Sequence, residues 1–161
     1  MNAFLIAALP RSRTAWLAHF LTTGKSYCFH EAMIRCAHPS HLFQFVLPDK
    51  ITGFSDTSLC LFPDWMNNVD IPKVIIRRSV EDVERSGRAA GLLPVDTHRM
   101  SRNLDRIDGL VINFEDINDR LEEIWDHCLG LPFDAQRASR MAGINIQNSE
   151  IIGEMQWQPV G

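Results

Sequence analysis

The 161-residue sequence lacks several patterns that would assign a function directly. Its cysteines, Cys28, Cys36, Cys60 and Cys128, form no C-x-x-C pair, so neither a zinc site nor a redox dithiol is indicated. No G-x-x-x-x-G-K-[ST] segment is present, which disfavours ATP or GTP hydrolysis. No apolar run approaches the ~20 residues of a membrane helix, and no basic region precedes the apolar start. Together with the scattered thiols, these absences predict a cytoplasmic protein that does not insert into a membrane.

The composition is that of an ordinary globular domain. Hydrophobic residues make up 45% of the chain and charged residues 22%, and the length predicts one domain over residues 1–161. The formal net charge of -4 argues against nucleic acid as a partner. Any site for an anion must therefore be built locally.

Apolar runs alternate with amphipathic segments along the chain. Strands are predicted at residues 3–8, 26–29, 51–54, 73–77 and 109–114. Helices are predicted at residues 14–23, 39–47, 80–90, 95–106, 117–128 and 134–141. Such alternation predicts an α/β fold with three layers, in which helices flank a mostly parallel β-sheet.

The loop between the first strand and the first helix has the features of a phosphate site. A helix N-terminus presents unpaired backbone N–H groups and the positive end of its dipole. Arg11 adds a forked cation, and Ser12 and Thr14 add hydroxyl donors. The alternative is an ordinary strand-to-helix turn with surface arginines.

A second group of basic residues follows the strand at 73–77. Arg78 leaves the carboxyl end of that strand, where ligands of open parallel sheets bind, and Ser86 lies in the next helix. An arginine fork suits a phosphate dianion. The alternative is a solvated charged face. Its members would be Arg77, Arg78, Arg85, Arg88, Glu81 and Glu84.

Both segments resemble signatures of the sulfotransferase superfamily. The loop reads Pro10, Arg11, Ser12, Arg13, Thr14 and Ala15, close to that family's P-[KR]-[ST]-G-T-T. Arg78 and Ser86 match the family's second signature, an arginine and a serine eight residues apart, and the segment GLVINFEDINDRLEEI resembles a later one. The resemblance implies a P-loop NTPase-like fold and binding of 3′-phosphoadenosine 5′-phosphosulfate, whose product is 3′,5′-adenosine bisphosphate. It implies no metal.

The resemblance also implies roles for individual residues in sulfuryl transfer to a hydroxyl or amine. Arg11 would stabilise the leaving phosphate, while Ser12, Thr14 and the loop amides would hold the 5′-phosphate. Arg78 and Ser86 would hold the 3′-phosphate. Glu31 is the favoured general base and His30 is the alternative; an ordinary hydrogen-bonded role stays open for both. Asp56 is a candidate contact for the acceptor, which would be a small molecule, a carbohydrate or a peptide.

Other functions remain open at this point. Arg13 stands where the family has glycine, Ala15 replaces a threonine, and the late R-K-G segment of many members is missing. These departures keep a non-catalytic nucleotide-binding module as an alternative, besides a nucleotide or small-molecule kinase of related architecture. They also leave room for a partner subunit in a homo-oligomer.

Overall fold

The computed structural model describes residues 2–144 and confirms the predicted fold class. Met1 and residues 145–161, which the predicted domain also includes, lie outside the described residues. Five strands form one sheet: β1 (Ala3–Ala8), β2 (Ser26–His30), β3 (Ile51–Asp56), β4 (Lys73–Arg77) and β5 (Leu110–Asn113). The strand order is β2-β3-β1-β4-β5, and every pairing is parallel. All strands therefore end at the same edge of the sheet.

The central strands consist of apolar residues because both of their faces are covered. Every residue of β1, AFLIAA, is buried, as is the V-I-I core of β4. β4 has the predicted bounds, whereas β3 continues two residues beyond the predicted end, to Asp56. The longer β3 brings Asp56 to the carboxyl edge of the sheet.

Helices flank the sheet on both faces. They are α1 (Thr14–Phe20), α2 (Pro63–Asn68), α3 (Val80–Ala89), α4 (Thr97–Leu104), α5 (Leu121–Leu129) and α6 (Ala135–Ala142). Tighter 3-10 turns cover Ala32–Arg35, Pro39–Phe45, Thr57–Leu61 and Phe114–Asp116. The helix predicted at 39–47 is thus a 3-10 segment, and the one predicted at 117–128 begins only at Leu121. None of the helices within residues 2–144 combines the length and apolar character required to cross a bilayer.

The two faces of the sheet carry separate apolar cores. One core joins α1, α5 and α6 through residues such as Trp16, Phe20 and Trp125. The other core includes Val83 of α3 and Met100 of α4. The helices that follow β1 and β4 therefore lie on opposite faces, although these strands are neighbours. This reversal creates a crevice at their carboxyl ends, the usual position for ligands in open α/β sheets.

Helix α6 holds the end of α1. Arg137 donates from Nε to the carbonyl oxygen of Phe20 at 2.8 Å and from Nη2 to that of His19 at 2.5 Å. Trp16 in turn donates from Nε1 to the carbonyl oxygen of Met141 at 3.1 Å. The two bonds from Arg137 satisfy carbonyl groups at the end of α1, which stops three residues before the predicted position 23.

Candidate functional site

The loop between β1 and α1 has an unusual backbone. Arg11 and Arg13 both adopt left-handed conformations, with φ of 64° and 62°. Such a conformation costs a residue with a side chain roughly 1–2 kcal/mol, so the loop is strained at two positions. The sequence suggested this strain only at Arg13, where the related family has glycine. Strain of this kind is concentrated at ligand-binding sites.

Ser12 lies between these two residues and is completely buried. Its Oγ makes no hydrogen bond with any residue in the part of the chain that the structure describes. Another buried hydroxyl nearby is satisfied: Ser55 donates from Oγ to the carbonyl oxygen of Thr14 at 2.9 Å. A buried hydroxyl without a partner is costly, so Ser12 suits a ligand that supplies an acceptor oxygen.

The two basic segments that the sequence singled out meet at this loop. Arg11 donates from Nε to Ser86 Oγ at 3.2 Å across a sequence separation of 75 residues. Arg78 donates from Nη1 to the carbonyl oxygen of Arg11 across 67 residues. Each segment thus contacts the other, and the left-handed backbone of Arg11 is held by Arg78.

Arg78 lies flat against an aromatic ring. Its Cζ is 4.0 Å from the ring centroid of Phe114, the residue that directly follows β5. Its Nε is buried and has no hydrogen-bond partner among residues 2–144. Burial lowers the pKa of Arg78, and Asp82 and Glu115 oppose this shift. The guanidinium nevertheless stays protonated, because arginine is not deprotonated in proteins.

On the β2 side, the loop contacts the two candidate bases. Thr14 Oγ1 and His30 Nε2 are 3.1 Å apart, and His30 Nε2 is 3.6 Å from Glu31 Oε1. Thr57 donates to both carboxylate oxygens of Glu31, from its backbone N at 3.2 Å and from Oγ1 at 3.1 Å. Polar side chains therefore lie in sequence from the loop to Glu31, with His30 between Thr14 and Glu31.

The surroundings shift the pKa values of the two candidate bases in opposite directions, that of Glu31 upward and that of His30 downward. Burial and the nearby Asp56 raise the pKa of Glu31 to about 7, against the opposing effect of the hydrogen bonds from Thr57. Burial lowers the pKa of His30, and Asp56 partly offsets that shift. A neutral imidazole and a carboxyl group that titrates near neutral pH are both able to accept a proton.

Asp56 has a structural position in place of the acceptor contact that the sequence suggested. It is fully buried, and its carboxylate accepts from the backbone N of Met33 at 2.7 Å and of Ser58 at 2.8 Å. Both oxygens are therefore used to hold two chain turns. Asp56 also acts on the site by raising the pKa of Glu31 and by opposing the lowering of the pKa of His30.

The side chain of Arg13 is hydrogen-bonded neither to Arg78 on the β4 side of the loop nor to His30 and Glu31 on the β2 side. It donates from Nη1 to Asn118 Oδ1 at 2.8 Å, and its Cζ lies 4.0 Å from the ring centroid of Trp16. Pro10 and Ala15, the remaining predicted loop residues, are half-buried at either end of the turn. Arg13 therefore links the loop to the segment before α5.

Three residues of the site were not predicted from the sequence: Thr57, Phe114 and Asn118. Thr57 and Phe114 each directly follow a strand, β3 and β5 respectively. That position at the carboxyl edge of a parallel sheet was the available signal. The pairing of Asn118 with Arg13 spans 105 residues and had no such signal.

A cavity of ≈ 250 Å³ opens beside Arg78. Its lining comes from the ends of β1, β4 and β5 and from α4: Leu9, Arg77, Arg78, Ser79, Ser101, Leu104, Asp105, Asn113 and Glu115. Two of the lining residues form an ion pair, in which Arg77 Nη2 is 3.0 Å from Asp105 Oδ1. The cavity is polar and extends the loop site toward β5.

The predicted loop residues, Arg78, Ser86, His30 and Glu31 thus belong to one contiguous region at the carboxyl edge. In residues 2–144, no group of three or more His, Cys, Asp or Glu side chains is arranged to hold a metal ion. Comparison of the chain with protein-family models and with curated proteins finds no match. The interpretation of the site consequently depends on its geometry and chemistry.

Proposed function

We propose that the protein is a sulfotransferase that moves a sulfuryl group from 3′-phosphoadenosine 5′-phosphosulfate to a hydroxyl or amine acceptor. The observation that carries this proposal is the meeting of two basic segments at one crevice. Arg11 contacts Ser86, and Arg78 contacts the backbone of Arg11, at the carboxyl ends of β1 and β4. A donor that carries phosphate groups at the 3′ and 5′ positions of its ribose calls for two adjoining anion sites.

The unpaired polar atoms of the site fit such a ligand. Within residues 2–144, the buried side-chain N and O atoms that lack a hydrogen-bond partner are Ser12 Oγ and Arg78 Nε. Both atoms can donate a hydrogen bond. Ser12 belongs to the first predicted anion segment and Arg78 to the second. Burying a donor without a partner is unfavourable, and phosphate oxygens would satisfy both atoms.

The residues divide the two phosphate groups between them. Ser12, Thr14 and the loop amides would bind the 5′-phosphate group. Arg78 and Ser86 would bind the 3′-phosphate. Arg11 reaches Ser86 from the loop and so lies between these sites, where it would stabilise negative charge on the departing phosphate oxygen.

Glu31 is the proposed general base. Its pKa of about 7 means that the carboxylate is available near neutral pH and basic enough to accept a proton from the acceptor. His30, 3.1 Å from Thr14 Oγ1, lies between Glu31 and the loop and is the alternative base or an orienting group. The acceptor is a small molecule, a carbohydrate or a peptide, and the proposed compartment is the cytoplasm.

A non-catalytic nucleotide-binding module is the second candidate. The observation in its favour is that Thr57 donates to both oxygens of Glu31, which gives this carboxylate a structural role without any catalysis. A kinase has less support, because the sequence lacks the lysine and hydroxyl of a Walker loop.

Isothermal titration calorimetry separates these candidates. We expect 3′,5′-adenosine bisphosphate to bind without Mg²⁺ and ATP to bind much more weakly. Equal or tighter binding of ATP that requires Mg²⁺ would support the kinase, and binding of neither nucleotide would refute the proposal. A transfer assay with labelled phosphosulfate donor and a panel of hydroxyl and amine acceptors then distinguishes the enzyme from the module.

A further inference from the structure

Phe114 provides a platform for the arginine of the second anion segment. It is the first residue after β5 and is half-buried against the core shared by α1, α5 and α6. The centroid of its ring lies 4.0 Å from Cζ of Arg78. At this distance the ring face attracts the guanidinium and limits its rotation.

A second contact fixes one edge of the same guanidinium. Arg78 donates from Nη1 to the carbonyl oxygen of Arg11, which leaves the opposite edge, formed by Nε and Nη2. Nε is buried and has no hydrogen-bond partner among residues 2–144. This edge carries two parallel N–H donors, the arrangement that binds two oxygens of one phosphate.

We propose that Phe114 is a positioning residue for anion binding: its ring holds Arg78 so that the Nε–Nη2 edge is presented to a phosphate group of the ligand. The inference rests on the proposed function, because it takes the crevice beside Arg78 as a phosphate site. Phe114 contributes no hydrogen bond of its own. The ring restricts the orientation of Arg78 before the ligand binds, which reduces the conformational entropy that Arg78 loses on binding.

The test compares the binding of 3′,5′-adenosine bisphosphate to the Phe114→Leu, Phe114→Tyr and unmodified proteins by calorimetry. Leucine keeps the side chain apolar but removes the ring, so we expect the dissociation constant to rise about 3- to 30-fold. Tyrosine keeps the ring and should bind within about 2-fold of the unmodified protein. Phe133→Leu is the matched control, because Phe133 packs edge-on to Trp125 and should leave binding unchanged.

A double-mutant cycle distinguishes positioning from a general structural effect. In an Arg78→Lys background, Phe114→Leu should weaken binding much less than it does alone, since the two residues act through one contact. An equal loss in both backgrounds would overturn the inference, as would unchanged binding in Phe114→Leu. Failure of the unmodified protein to bind the bisphosphate would refute the proposed function itself and this inference with it.

NMR gives a readout that does not require the leucine variant to fold. The Nε–H resonance of Arg78, assigned by its disappearance in Arg78→Lys, should be shifted by the ring current of Phe114 and should move again when bisphosphate is added. A resonance at the position of a solvent-exposed arginine, unaffected by ligand, would overturn the inference.

Discussion

The β4 side and the β2 side of the loop between β1 and α1, its two flanks, differ in how their polar groups are hydrogen-bonded. On the β4 side, Arg78 stacks on Phe114 and keeps a buried Nε without a partner in residues 2–144. On the β2 side, Thr57 donates to both oxygens of Glu31. Burial and the nearby Asp56 raise the pKa of Glu31 to about 7. One flank retains hydrogen-bonding capacity for an anion, and the other surrounds a group that can exchange a proton. The difference separates residues that bind from residues suited to proton transfer.

The strongest way to sharpen this comparison is to remove the proton acceptor. Glu31→Gln keeps the size of the side chain but cannot accept a proton, so we expect turnover to fall about 10²- to 10⁴-fold. Bisphosphate affinity should stay within about 2-fold of the original value, because the other flank is unchanged. Turnover is measured with labelled donor, and Glu122→Gln is the control because Glu122 is an exposed carboxylate on α5. Full activity of Glu31→Gln would remove Glu31 as the base.

The complementary change removes the cation. Arg78→Ala loses a charge-assisted contact, which should weaken bisphosphate binding roughly 10- to 100-fold in calorimetry. Arg106, which lies outside the crevice, is the control: it is exposed and paired with Asp64, so Arg106→Ala should change affinity by less than about 2-fold. Equal losses in both variants would mean that only the general positive charge matters.

Two fully buried serines test whether an unpaired hydroxyl is reserved for the ligand. Ser55→Ala leaves the Thr14 carbonyl oxygen without its donor and should lower the free energy of unfolding by about 1–3 kcal/mol. Ser12→Ala removes a hydroxyl that has no partner within residues 2–144, so we expect stability to be unchanged or to rise by up to about 1 kcal/mol.

The same Ser12→Ala variant should bind bisphosphate about 3- to 10-fold more weakly. Denaturant unfolding and calorimetry measure the two effects separately. Loss of stability in Ser12→Ala comparable to that in Ser55→Ala would show that Ser12 already has a structural partner.

The smallest expected effect is on the pH dependence of stability. Because folding raises the pKa of Glu31 from 4.5 to about 7, the folded protein keeps a proton that the unfolded chain has released between these values. This contribution to stability is complete below pH 4.5 and is lost as the pH rises through about 7. Glu31→Gln should therefore gain stability relative to the unmodified protein across this range.

Solvent screening limits the size of that gain. The Glu31 side chain is 35% exposed, so we expect a relative change of about 1 kcal/mol between pH 4.5 and pH 8. Urea unfolding of both proteins over this range measures it. A difference that does not vary with pH would show that Glu31 titrates normally in the folded protein.

Local patterns predicted the parts of the fold that depend on local physics. β4 has its predicted bounds because a short β-branched run was buried on both faces. Helix α3 begins at Val80, directly after the N-cap Ser79, whose Oγ accepts from the backbone N of Asp82 at 3.1 Å. The early end of α1 could not be predicted in this way. It involves Arg137, which lies 117 residues further along the chain.

The site shows the same division. The loop and the segment of Arg78 and Ser86 were found from residue types at the ends of strands, and the structure brings them into contact. The left-handed backbone at Arg11 and the stacking of Phe114 on Arg78 were not found. Both depend on contacts between distant parts of the chain, which leave no periodic trace in the sequence.

The bonds between α6 and α1 have a practical consequence for shortened forms of the chain. A truncation before Ala135 would retain every residue assigned to binding or proton transfer, yet it would delete Arg137 and Met141, which secure the helix that begins at the loop. Ligand affinity would then decrease because α1 would no longer be held by α6, although α6 contains no residue assigned to the site. The minimal fragment that works should therefore extend at least through Ala142, well past Asn118, the last residue assigned to the site.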